Sequence, residues 1–126
     1  MFDNDVSKIK KLKSEAYYKL LGLCGRIVEN ILKQDFNKNN INEKFVTCGI
    51  VDVISGFIIN KLTKGTNTPQ QNKIECNKII NSYLSDKLDK KVNINISFPL
   101  ITDNIVKTNE YIRYKFLCNK LKDMQK

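Results

Sequence analysis

Lys8, Lys10, Lys11 and Lys13 precede Tyr17 and Tyr18 near one end of the chain, and Tyr111 and Tyr114 sit beside Arg113 and Lys115 near the other. Cations interleaved with aromatic rings suit two tasks at once, attraction of phosphate and stacking of bases, the pairing that binders of single-stranded nucleic acid use. The same residues also suit an ordinary helix whose rings turn inward while lysine stems snorkel out. Lysine in the first turns of a helix opposes the macrodipole and costs about 0.3 kcal/mol or more per residue. The cluster at 8–13 therefore predicts either an anionic partner or a helix that begins late, with residues 1–7 frayed. Base-specific reading leans on bidentate arginine. Only Arg26 and Arg113 are present, so the phosphate contacts expected of Lys8, Lys10, Lys11, Lys13, Arg113 and Lys115 are non-specific.

Other chemistries are thinly supplied. The chain has no histidine, which removes Ser-His-Asp and Cys-His catalysis and every histidine-containing zinc site. Its glycines, at 22, 25, 49, 56 and 65, form neither GxGxxG nor GxxxxGK, so no phosphate-binding loop is predicted. Asp3, Asp5, Glu15, Glu29, Asp35 and the other carboxylates are scattered without a cluster; Asp52 alone sits in a strongly apolar stretch, where a structural hydrogen bond is the expected role. Cys24, Cys48, Cys76 and Cys118 are isolated and lie in or beside apolar runs, as reduced structural thiols do. No catalytic residue, metal site or cofactor is expected.

The vocabulary is narrow: 20 Lys, 16 Asn and 16 Ile in 126 residues, with a net charge of +9. AT-rich codons would supply those residues, so the charge has a compositional explanation beside a functional one, and an accessory factor of a virus, plasmid or low-GC bacterium would fit it. The length suits a single domain able to bury a core without disulfides or metal. The segment after Met1 lacks a continuous apolar run, and Phe45 to Asn60 is too short and polar to span a bilayer. A cytoplasmic or otherwise intracellular protein without membrane insertion is expected.

The elements that must position these residues are mostly helical. Apolar residues recur every three or four positions over 5–33, 41–63, 69–89 and 103–122, predicting four helices. Asn40 with Glu43 reads as a capping box for the second, and Gly65 as its C-terminal cap. Thr68-Pro69-Gln70-Gln71 is the sharpest start signal, with a capping hydroxyl, proline at the first helical position and glutamine at the third. The second helix carries a small, nearly uncharged face at Gly49, Asp52, Gly56 and Asn60, which predicts packing on more than one side. The last helix carries Tyr111, Ile112, Phe116 and Leu117 around more than half its circumference and is expected to be well buried.

Between the third and last helices, Val92, Ile94, Ile96 and Phe98 alternate with polar residues. That is the period of a half-buried strand, ended by Pro99. The expected fold is thus mainly α, a four-helix bundle-like single domain with one short strand at about 92–98. A lone strand needs hydrogen-bond partners, and no other segment alternates as clearly. The partner is either a poorly signalled stretch such as Lys44 to Cys48 or, as the expected solution, the same strand of a second copy across a two-fold axis. The sequence thus predicts a small non-catalytic binding protein, an accessory or regulatory factor working through another protein or its own copy. The alternative is a basic protein that holds nucleic acid or a nucleoprotein complex by lysine–phosphate contacts.

Overall fold

The computed structural model describes residues 2–125. The order of elements is α1 (Phe2–Lys38), a 3-10 turn (Glu43–Phe45), α2 (Cys48–Lys64), α3 (Pro69–Leu88), α4 (Phe98–Val106) and α5 (Asn109–Met124). The chain is mainly helical, and no strand occurs among the described residues.

α1 forms the spine. Its 37 residues span about 55 Å at 1.5 Å per residue, with α5, α2 and α4 packed along it. Ala16, Leu20, Cys24, Val28, Leu32 and Phe36 step every four residues and are all buried. The helix starts at Phe2 instead of near Asp5 and continues to Lys38, because Phe36 and Asp35 still face the core. Residues 2–7 are helical; Met1 lies outside the described residues.

The entry to α2 differs from expectation. Asn40 does not cap it but adopts a left-handed conformation, φ 61°, after the end of α1. Asn42 caps the 3-10 turn, and Thr47 caps α2, its hydroxyl accepting from the Ile50 N–H at 3.5 Å. Nor is α2 enclosed: Gly49, Asp52 and Asn60 are exposed, so its small face meets solvent, and Asp52 is not the buried carboxylate. Gly65 does lie at the C-cap, with its N–H bonded to the Lys61 carbonyl, but its φ of −73° is open to any residue. Glycine is needed there for space, since an added Cβ would sit 2.6 Å from that carbonyl oxygen. α3 begins as predicted, with both halves of the Thr68–Gln71 capping box formed at 3.2 and 2.9 Å.

The strand expected at 92–98 is absent, and the reason is local. Three side chains on one stripe of α3 take the backbone groups that a neighbouring strand would have taken. Ser85 Oγ accepts from the Val92 N–H at 2.9 Å, Asn81 Oδ1 from Ile94 at 2.8 Å and Asn77 Oδ1 from Ile96 at 3.0 Å. Asn81 Nδ2 also donates to the Ile94 carbonyl at 3.0 Å. The match is metric: four helical residues advance about 6.0 Å and two extended residues about 6.6 Å. The alternation itself is real, with Ile94, Ile96 and Phe98 buried while Asn93 and Asn95 are exposed.

Phe98 then enters α4, with Pro99 in its first turn. The proline starts a helix instead of merely ending a strand, the role proline holds at a helix N-terminus. A break at Lys107–Thr108 divides the expected last helix, and the Thr108 hydroxyl caps α5 by accepting from the Tyr111 N–H at 3.1 Å. The break resets the helical phase. Ile112 and Phe116, expected in the core, are consequently 57% and 61% exposed.

Candidate functional site

α1 and α5 pack against each other more extensively than any other pair of elements, and a tyrosine cluster lies between them. Tyr17 leaves α1 beside the Ala16 stripe and meets Tyr114 of α5 at 5.6 Å between ring centroids; Tyr18 stands edge-on to Tyr17, also at 5.6 Å. Both separations fall in the range of favourable aromatic pairs. Tyr114 is buried, whereas Tyr18 is 70% exposed. Burial first, then the Cys118 thiol and the Tyr17 hydroxyl beside it, hold the Tyr114 hydroxyl above the ordinary tyrosine value. It is a neutral hydrogen-bonding group, while Tyr18 offers an open ring.

Lys10 and Lys13 complete the site. With Tyr17, Tyr18, Tyr114 and Leu121 they line a concavity of about 390 Å³, a size typical of small-ligand clefts. The lysines are one helical turn apart and so share a flank of α1. The ion pairs among the described residues are Glu29–Lys33 and Lys61–Glu75, and neither Lys10 nor Lys13 belongs to one of them. Two cations beside a solvent-facing ring can receive an anionic group and a flat ring together.

The other sequence-predicted positions are dispersed. Lys8 and Lys11 are exposed and do not line the concavity, although Lys11, seven residues before Tyr18, shares its face of α1. Arg113 and Lys115 lie about 200° apart around α5, both exposed, and neither reaches the tyrosine site. Lys115 instead places its ammonium 5.8 Å from the centre of the Tyr111 ring. Ile94, Ile96 and Phe98 fill the chain's own core and Val92 packs against it. With their N–H groups bonded to α3, Val92, Ile94 and Ile96 no longer require a partner strand for that edge.

Two sets of structural residues escaped the sequence. Asp35, only 4% exposed, accepts from both the Ser97 N–H and the Ser97 hydroxyl at 2.8 Å. It ties the end of the extended run to α1. The stripe Asn77, Asn81, Ser85 is the other; its four-residue spacing can be read from the sequence, but asparagine is too common here for spacing alone to single it out.

Cys24 and Cys76 are fully buried and their thiols are pushed up to about 12 by burial; Cys48, expected within an apolar interior, is exposed at the start of α2. All four cysteines are unpaired. Among the described residues no three of Cys, Asp and Glu converge to hold a metal ion, and no helix is long and apolar enough to cross a membrane. No protein-family model, curated protein or solved structure matches this chain.

Proposed function

We propose that this chain is a non-catalytic binding protein that holds single-stranded nucleic acid at the α1–α5 concavity. The observation that carries the reading is the convergence of Lys10 and Lys13 on the tyrosine cluster. Phosphates sit against the two ammonium groups, and a base stacks on the open Tyr18 ring. Affinity is independent of sequence, since no arginine reaches the site, and it falls as salt displaces the phosphate contacts. An intracellular, accessory role is consistent with four free thiols.

The test is anisotropy of a fluorescent oligothymidylate titrated with the full chain at about 50 mM salt, where phosphate contacts are least screened. Saturable binding, weakened by Tyr18→Ala and by Lys10→Ala with Lys13→Ala, is the expected result. No binding at that salt would overturn the reading.

A second reading is a protein-interaction module engaging another protein or a second copy of this chain. Ile112 and Phe116 favour it, being adjacent on the outer face of α5 and largely exposed. Sedimentation of the chain and of Ile112→Asn with Phe116→Ser would reveal self-association through that face; a monomer at every concentration would remove the homodimer.

A further inference from the structure

The run from Lys91 to Ile96 has two edges, and α3 occupies only one. Ile94 engages α3 through both its N–H and its carbonyl, and Val92 and Ile96 do so through their N–H groups. In an extended chain the backbone groups of alternate residues point to opposite edges. Those of Asn93 and Asn95 therefore face away from α3. Among the described residues neither asparagine has a backbone hydrogen bond, and both are exposed.

A cleft of about 440 Å³ adjoins this edge, with Asn39 and Asn42 of the α1–α2 connection among its walls and Ile41 and Leu88 as apolar lining. Lys90 and Lys91 are among its lining residues, no carboxylate lines it, and neither lysine belongs to the ion pairs among the described residues. Unpaired strand edges are templates for another chain. Here the charge selects the kind of chain: a second copy of residues 90–96 would add two more lysines and no carboxylate.

We propose that this edge is a docking site for an extended acidic segment of a partner protein, which adds itself as an antiparallel strand. One residue of the partner exchanges both backbone bonds with Asn93, and the residue two places away does the same with Asn95. Acidic side chains on the added strand reach Lys90 and Lys91. The side-chain ladder of α3 makes this possible by holding the run extended without using its outer edge. This site is separate from the tyrosine concavity and stands or falls independently of it.

The experiment is amide NMR of the full chain titrated with a blocked octapeptide of alternating valine and glutamate, and with its valine–lysine counterpart. With the acidic peptide, the Asn93 and Asn95 amide signals should shift and their hydrogen exchange should slow by about tenfold or more. Lys90→Glu with Lys91→Glu, both at exposed positions, should reverse the preference between the peptides. Lys10→Ala with Lys13→Ala should leave it unchanged. Unmoved Asn93 and Asn95 signals, or equal response to both peptides, would overturn the proposal and leave the lysines as guards against edge pairing. So would concentration-dependent protection without peptide, which would assign the edge to a second copy, or protection by oligothymidylate in place of the acidic peptide.

Discussion

Asn81 meets Ile94 through both ends of its side-chain amide, accepting the Ile94 N–H at 2.8 Å and donating to the Ile94 carbonyl at 3.0 Å. A helix side chain thereby makes the two-bond exchange that a residue of a neighbouring strand would make. With Asn77 and Ser85 a turn away on either side, it keeps residues 92–96 extended and their apolar side chains inward.

Asn81→Ala should therefore destabilise the fold by about 1–3 kcal/mol, because it strands a donor and an acceptor in a partly buried setting. Urea unfolding would show it as a lower midpoint. Asn81→Asp should also weaken the contact, since the carboxylate still accepts from the Ile94 N–H but faces the Ile94 carbonyl without a proton to donate. A loss below about 0.3 kcal/mol in both variants, within the usual range of surface substitutions, would contradict the ladder.

Two glycines should respond in opposite directions to alanine. Nothing lies within 4 Å of a Cβ added at Gly22, so Gly22→Ala should stabilise α1 by about 0.5–1 kcal/mol through helix propensity alone. Gly65→Ala should destabilise, because the added methyl would press into the Lys61 carbonyl at 2.6 Å. Thermal unfolding of the pair checks both signs.

Burial of Cys24 and Cys76 makes stability depend on alkaline pH. Their thiols ionise near the ordinary 9.0 in the unfolded chain but hold their protons up to about 12 in the folded one. Between those values the unfolded state binds fewer protons, so stability falls as pH rises, by up to about 1.4 kcal/mol per group per pH unit. Below pH 9 these thiols contribute no slope. Replacing both by alanine should lower stability overall and flatten the alkaline decline; an unchanged slope would show that other groups cause it. Alkylation of the folded chain should reach the exposed Cys48 first.

At the tyrosine site, Tyr18→Ala should cost about 1–3 kcal/mol of oligothymidylate binding if the ring stacks on a base. Removing Lys10 and Lys13 together should reduce the slope of log affinity against log salt by about 1.4, the value for two phosphate contacts to a single strand. Removing Lys8 and Lys11, which do not line the concavity, should change the slope less. Equal effects from the two pairs would mean that the charge acts diffusely and not through the concavity.

Much of the fold was legible in the sequence, because its signals were local. The α1 stripe from Ala16 to Phe36 follows from helical periodicity, and the Thr68-Pro69-Gln71 start follows from which donors a helix end leaves unpaired. The inward alternation of Ile94, Ile96 and Phe98 was equally plain. What that alternation could not reveal was the source of their hydrogen bonds, since a two-residue period reports which side chains turn inward and is silent about the edge. Only the tertiary structure, by laying Asn77, Asn81 and Ser85 alongside, decided that a helix would stand in for a strand. The same distinction governs the candidate site. Lysines 8, 10, 11 and 13 are neighbours in sequence, but only Lys10 and Lys13 line the concavity, because the packing of α5 brings Tyr114 to their side. Side chains near each other along a helix share a face only at particular spacings, and which face becomes a site depends on what packs beside it, a long-range contact that no local pattern encodes.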